Sequence, residues 1–212
     1  MPDGGRKELG PLGVRAVSGM TGGGAPSCPF TFQDRRLGVL WDHWARSLRP
    51  DRLPRREDID PAALREILDI MWIYRLDDSG RDFYCSLAGE VIIAGWQRPT
   101  MIGTPISLLF APDVYQTLRD RWLELMEQPA VMHGSMIYNP TILEVSTSQL
   151  AERLSLPING PDGRPYGMIG TTGYVRAAAH EKQGPALKRL LPPKIVPVGD
   201  LFLSAPPRPP TI

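Results

Sequence analysis

The sequence predicts an α+β domain in which a five-stranded antiparallel sheet carries helices on one face and follows an amphipathic N-terminal helix. Three observations lead to this fold class. Residues 32–48 and 112–128 repeat apolar residues at helical spacing, five other segments have strand-like composition, and clusters of glycine, proline and aspartate separate the segments. In chain order they are one helix, two strands, short helices, a longer helix and three strands.

Composition places the folded part in the middle of the 212-residue chain. A hydrophobic content of 42% is enough to bury one core. Residues 1–30 are rich in glycine and proline and lack periodicity, which predicts a disordered leader, with Met20 as an alternative start. The domain and its leading helix are predicted over 31–176. A Pro-rich C-terminal tail over 177–212 follows, with a short helix near 185–191.

Charge and cysteine content argue against several classes of protein. The chain has 24 Lys and Arg against 23 Asp and Glu, so no global field favours nucleic acid or an anionic membrane. Cys28 and Cys85 are too few for a disulfide framework, and no apolar run reaches the roughly 20 residues of a membrane helix. We therefore expect a cytoplasmic protein that binds neither nucleic acid nor a membrane.

The first predicted element is the amphipathic helix over 32–48. Its apolar residues share one face: Leu37, Leu40, Trp41, Trp44 and Leu48. An aromatic stripe of this kind packs either on its own domain or on a second copy of the chain. We expect a homodimer through this helix, with a partner interface at Leu37, Trp41, Trp44 and Leu48.

The stretch LPRREDIDPAALREIL, residues 53–68, has the pattern of a helix start. Asp60 can accept hydrogen bonds from the first free backbone N–H groups, and Pro61 fits the first helical position. An apolar stripe follows within 63–68. These features predict a short helix that begins at Asp60.

Five strands and the helices between them follow. The segments ILDIMWIYRL (67–76) and RDFYCSLAG (81–89) flank the turn DDSG and predict a hairpin. Glycines and prolines within 89–110 permit only short helices, and Pro112 opens a longer helix. Three antiparallel strands are predicted at the end of the domain, in the segments 130–138, 142–158 and 164–175, although SQLAERL at 148–154 is also compatible with a helix.

Short motifs occur in a definite order between residues 33 and 176. They are Trp44 in the leading helix, LPRREDIDP at 53–61, Leu-Ala-Gly at 87–89, Gly103, and Leu-Pro at 156–157 before Gly160. This order resembles the PAS-like domain family of alphaproteobacterial proteins. The resemblance implies the five-stranded sheet described above and a sensory or signalling role without catalysis.

The resemblance also assigns roles to individual residues. It implies that 54–61 fixes how the leading helix joins the sheet, with the junction residues Arg55, Arg56, Asp58, Asp60 and Pro61. The two arginines are expected to pair with carboxylates there. The family commonly has an arginine where this chain has Ser86, so no ligand contact through that arginine is carried over.

A curved sheet under short helices leaves an apolar concavity, which is the usual location of a small-molecule site. We expect this pocket to be lined by ten residues, which are equally typical of an ordinary core: Phe83, Cys85, Leu87, Trp96, Ile106, His133, Met136, Leu154, Leu156 and Met168. The three histidines, His43, His133 and His180, lack metal-ligand spacing, so no metal site is predicted. The sequence identifies no cofactor.

The functional prediction is a non-catalytic module that binds a small molecule, a protein partner or both. The chain lacks a Gly-x-Ser-x-Gly elbow, a phosphate loop and a Rossmann glycine pattern, so an enzyme is not expected. A ligand-free protein–protein scaffold is the main alternative. A third hypothesis, a small enzyme using Asp58, Asp60, Arg55 and Arg56, requires a cleft around these side chains.

Overall fold

The computed structural model describes residues 25–96, 99–138, 141–142, 145–146, 149–176, 189–190 and 192–203. Its helices are α1 Arg36–Ser47, α2 Glu90–Trp96, α3 Pro112–Glu127 and α4 Val198–Leu203, with 3-10 turns η1 Arg56–Asp58, η2 Arg65–Ile70 and η3 Ile106–Leu108. Its strands are β1 Met71–Leu76, β2 Phe83–Ala88, β3 Ala130–Tyr138, β4 Thr141–Ile142, β5 Val145–Ser146, β6 Gln149–Asn159, β7 Pro165–Arg176, β8 Arg189–Leu190 and β9 Lys194–Pro197.

The main sheet is antiparallel and has the strand order β2-β1-β7-β6-β3, with β8 and β9 pairing with the outer edge of β3. Five consecutive strands of this sheet correspond to the predicted ones, which confirms the predicted α+β class, although the strand predicted over 142–158 begins only at Gln149, as β6. Residues 149–154 of the segment SQLAERL belong to β6 rather than to a helix, and Ser148 lies outside the described residues. The short strands β4 and β5 pair with each other.

Both faces of the sheet are buried, and side chains alternate between them. One face, here called the helix face, packs against α1, η2 and α4, and its strand residues include Met71, Ile73, Leu154, Leu156 and Ile169. The other, the cavity face, packs against α2, η3 and α3, and its strand residues include Trp72, Tyr74, Phe83, Cys85 and Met168. The helices between β2 and β3 therefore lie on one face, and the leading helix covers the opposite one.

The leading helix is part of the core. Leu37 and Trp44 are fully buried, Trp41 is 1% exposed and Leu48 4%. Trp44 Nε1 also donates a hydrogen bond to the carbonyl of Pro157 in β6, at 3.0 Å. The predicted partner interface at Leu37, Trp41, Trp44 and Leu48 is thus corrected: the stripe covers the second apolar face of its own sheet, because that face would otherwise be exposed to water.

The junction after α1 is built from backbone and carboxylate contacts. Asp58 accepts hydrogen bonds from the Arg55 amide at 2.8 Å and from Arg52 Nη1 at 3.0 Å. Arg55 Nη1 lies 3.3 Å from Glu57, and Arg56 forms no ion pair within the described residues. The junction is also bonded to the sheet, because the Asn159 amide of β6 donates a hydrogen bond to the carbonyl of Pro54 at 2.9 Å.

The α-helix predicted from Asp60 is replaced by a turn and by η2. Asp60 does accept a hydrogen bond, from the Ala62 amide at 2.9 Å, but this closes a tight turn rather than an α-helical start. Pro61 lies within that turn. The strand β1 begins at Met71, directly after η2, so few residues are available to reach it. A 3-10 turn rises more per residue than an α-helix and therefore spans this distance in fewer residues.

The C-terminal segment also differs from the predicted tail. Beyond residue 176, β8, β9 and α4 join the domain, and Leu201 of α4 is 3% exposed. The strands pair with the outer edge of β3, which would otherwise present free backbone groups. Residues 185–188 and 191 of the predicted short helix lie outside the described residues, and its residues 189–190 form β8 instead of a helix. Residues 1–24 of the predicted leader also lie outside the described residues.

Candidate functional site

A small cavity lies between the cavity face and the helices α2 and α3. Its volume is about 20 Å³, enough for roughly one water molecule. Most of its lining side chains are aromatic or aliphatic, and the full set is Trp72, Tyr74, Ile92, Trp96, Phe110, Leu118, Trp122, Arg153, Thr172 and Tyr174.

An aromatic cluster centred on Trp122 forms one wall of the cavity. The Trp122 ring stacks on Trp72, with ring centres 5.5 Å apart and planes 21° from parallel. Phe83 meets Trp122 edge-on at 5.2 Å, and Tyr74 lies 5.3 Å from it. These rings join α3 to β1 and β2, because Trp72 and Tyr74 alternate onto the same face of β1. Trp96 and Phe110 pack edge-to-face at 4.9 Å and are partly exposed.

The polar groups of the residues that line the cavity are only partly paired. Trp72 Nε1 donates a hydrogen bond to Thr172 Oγ1 at 3.0 Å. In contrast, Trp122 Nε1 and Arg153 Nε are buried and have no hydrogen-bond partner. Arg153 forms no ion pair with a carboxylate of the described residues, and it is the one formally charged side chain among those that line the cavity.

Tyr74 and Cys85 stay neutral beside this cavity. Burial raises the pKa of the Tyr74 hydroxyl, and the charge of Arg153 lowers it to a smaller extent. Burial likewise raises the pKa of the Cys85 thiol to about 11, against the hydrogen bonds to Leu87 and Tyr74 that lower it. A thiol of this kind is protonated at neutral pH and is therefore a poor nucleophile.

The structure places the ten predicted pocket residues in different environments. Trp96 lines the cavity, whereas Phe83, Cys85, Ile106 and Met168 belong to the surrounding core without lining it. The side chain of Met136 lies outside the described residues. The remaining four are corrected, because they lie on the helix face: Leu87, His133, Leu154 and Leu156.

Two physical reasons account for these corrections. The ladder between β1 and β2 shifts register at Ile73 and Tyr74, so that Leu87 lies opposite Ile73 on the helix face while Cys85 lies opposite Tyr74 on the cavity face. In β6, the apolar residues face α1, and the alternating polar residue Arg153 faces the cavity. Sequence reasoning assigned the apolar set to the pocket and overlooked Arg153. The available signal was a charged residue alternating with Leu154 in a long central strand.

A second polar cluster holds the start of α1 on the helix face. Glu152 is 2% exposed and accepts hydrogen bonds from the amides of Gln33, at 3.0 Å, and Asp34, at 2.8 Å. His133 Nε2 lies 2.9 Å from the same carboxylate. Gly173 of β7 leaves room for Asp34, because a Cβ atom there would lie 2.5 Å from Asp34 Oδ2. The N-terminal end of α1 is therefore attached to both β6 and β7.

Within the described part of the chain, the structure groups no three His, Cys, Asp or Glu side chains as a metal site requires. Over the same residues, no helix has the length and apolar character needed to span a membrane. The enzyme hypothesis invoked Asp58 and Asp60. Each of these carboxylates accepts a hydrogen bond from a backbone N–H group at the junction.

Comparison with known proteins agrees with the fold. A family model described as a PAS domain matches residues 34–171, which span β1, β2, β3, β6 and most of β7. No curated protein and no solved structure matches the chain significantly. PAS domains are generally sensory or signalling modules without catalytic activity, and they commonly mediate dimerisation and ligand binding. The family model covers more than half of the chain, and the order of the strands and the placement of the helices agree with it. The chain therefore belongs to the PAS domain family.

Proposed function

We propose that this PAS domain senses a small molecule in the cavity and transmits its presence to the start of α1. The observation that carries the proposal is Trp122 Nε1, which is buried without an acceptor in a side chain only 3% exposed. An unpaired buried donor costs about 1–3 kcal/mol. A bound molecule that offers an acceptor atom removes this cost, and the surrounding rings provide apolar contact area.

Neighbouring residues on β6 and β7 support the transmission step. On β6, Arg153 faces the cavity and the preceding residue, Glu152, holds the amides of Gln33 and Asp34. On β7, Thr172 faces the cavity and the following residue, Gly173, accommodates Asp34. A ligand that shifts either strand at the cavity therefore acts directly on the contacts of α1. Such a shift needs a ligand with different affinities for the two arrangements.

Native mass spectrometry and an absorption spectrum of the purified protein test ligand binding. We expect a mass above that of the chain alone, lost on denaturation, or an absorption band that the chain does not produce. A protein that carries no compound, and whose melting temperature no small molecule raises, would contradict ligand sensing.

Amide hydrogen exchange tests transmission. Removal of the ligand is expected to speed exchange in a peptide that contains Gln33 and Asp34, because their amides donate to Glu152. The turn over residues 77–82 is the control and should exchange equally in both forms. Equal exchange at residues 33 and 34 with and without ligand would contradict the transmission step and leave binding intact.

One observation favours the scaffold alternative. The cavity has room for roughly one water molecule, so the side chains around it leave no space for a larger molecule as they are arranged here. Under this alternative the domain acts through its surface, where Ile102 and Leu108 are 53% and 66% exposed in the connection between α2 and α3. Substituting both with serine would then abolish a partner interaction, and the native mass of both proteins would equal that of the chain alone.

A further inference from the structure

We infer that the ligand of this cavity carries a carboxylate on a planar apolar body and that Arg153 binds the carboxylate. The inference rests on the proposed function, because it specifies what the same cavity binds. It starts from the position of Arg153, which lies in the central strand β6 and projects among aromatic side chains with its Nε buried and unpaired.

Arg153 is partly buried, and its Nε atom is fully buried without a hydrogen-bond partner. A guanidinium remains protonated at any physiological pH and offers five N–H donors. Other arginines of the described chain are close to carboxylates: Arg36 lies 2.7 Å from Asp34, Arg52 3.0 Å from Asp58, and Arg119 2.7 Å from Asp120. Among the described residues, no such carboxylate approaches Arg153. A carboxylate ligand matches the planar geometry of a guanidinium with two parallel hydrogen bonds.

The rest of the cavity indicates the body of the ligand. Trp122 contributes a second buried N–H donor, so a ligand with more than one acceptor atom would pair both donors. The nearby walls are the flat rings of Trp72, Tyr74 and Trp122, which favour a planar apolar body. A body larger than water enters by separating Trp96 from Phe110, the edge-to-face pair that is partly exposed.

Titration calorimetry with benzoate and benzamide tests this inference. The two probes share a planar ring and an oxygen acceptor, but only benzoate is charged. The wild-type protein is expected to bind benzoate at least tenfold more tightly than benzamide. Arg153→Met should remove this preference, whereas Arg164→Met, which removes the charge of an arginine whose side chain is 86% exposed, should retain it.

A second variant keeps the test independent of how Arg153→Met folds. Trp122→Phe retains an aromatic ring and removes the unpaired N–H group, so it is expected to weaken both probes several-fold and to keep the preference for benzoate. Circular dichroism establishes that each variant is folded. If Arg153→Met is unfolded, the comparison of the two probes in the wild-type protein and in Trp122→Phe decides the question.

Equal binding of the probes by the wild-type protein, or a neutral compound retained on purification, overturns the carboxylate inference and leaves ligand sensing in place. A retained carboxylate supports the inference even if benzoate does not bind. Binding of neither probe, together with a native mass of the chain alone, overturns the inference and the proposed function together.

Discussion

The two faces of the sheet bury tryptophan side chains to a similar extent, but the buried polar groups on the two faces differ in whether they have hydrogen-bond partners. On the helix face, Trp44 Nε1 donates to Pro157, and the buried Glu152 receives two amide N–H groups and lies against His133. On the cavity face, Trp122 Nε1 and Arg153 Nε have no partner. The paired groups of the helix face hold α1 on the sheet, and the two unpaired N–H donors of the cavity-lining residues retain capacity to bind an acceptor. Thr171 Oγ1 on the helix face, and Arg55 Nε and Asn159 Oδ1 at the junction after α1, are also buried without a partner, and nothing in the structure explains them.

The largest effect is expected when the helix face loses its central side chain. Trp44→Ala removes a fully buried indole and leaves the Pro157 carbonyl without its donor, so the free energy of unfolding should fall by about 3–5 kcal/mol. Urea denaturation measures the loss. Leu108→Ala is the control, since that residue is 66% exposed and its loss should cost less than about 0.5 kcal/mol. A dimer that dissociates without loss of stability would instead restore an interface role for this stripe.

The buried carboxylate comes next. Glu152→Gln replaces a carboxylate that accepts the amides of Gln33 and Asp34 with an amide group whose NH₂ side cannot accept them. We expect a loss of about 2–3 kcal/mol in urea denaturation, because hydrogen bonds to a charged group are stronger than neutral ones. Glu127→Gln, at an exposed position of α3, provides the matched control. Equal stability of the two variants would mean that the start of α1 is held mainly by apolar packing.

A matched pair of Trp→Phe substitutions compares the two faces directly. Trp44→Phe should cost about 2 kcal/mol, because it shrinks a packed side chain and leaves a buried carbonyl unpaired. Trp122→Phe should cost less than about 1 kcal/mol, since it also removes a buried donor that has no partner. Both values come from urea titrations in the absence of added ligand. Equal costs would show that the Trp122 N–H is satisfied in solution, for instance by an ordered water.

The sequence was sufficient for the elements with a strong local pattern. The helical spacing of α3 and the five main strands could be read from apolar periodicity and from the turn residues between them. The strands β8 and β9 could not, because segments of two and four residues are too short to show alternation. They form where the edge of β3 offers unpaired backbone groups, which is a property of the folded sheet.

The candidate site was less predictable than the fold, for a related reason. Alternation in β6 separates Leu154 and Leu156 from Arg153, but it does not say which set faces which covering helix when both faces are buried. The apolar side chains of β6 were predicted to line the pocket, but they pack against the apolar face of the leading helix α1. At Leu87 the register shift in the β1–β2 ladder reversed the alternation, and a bulge of this kind leaves little trace in composition.

The smallest effect concerns a polar contact of the helix face that water can reach. Burial raises the pKa of the Asp34 carboxyl, but hydrogen bonds from Arg36 outweigh it, and the pKa is lowered overall. A carboxyl with a depressed folded pKa stabilises the protein above its unfolded pKa and loses this contribution as the pH falls through the folded value.

Asp34→Asn should therefore lower the free energy of unfolding by about 0.5–1 kcal/mol at neutral pH, a modest cost because Arg36 is 39% exposed and its charge is screened. The difference from wild type should shrink as the pH is lowered below about 4, where the unfolded carboxyl becomes protonated. Urea titrations across this range measure it, with Asp51→Asn at an exposed position as the control. A cost as large as that of Glu152→Gln would mean that burial is not what distinguishes the strong contacts of the helix face from the weak ones.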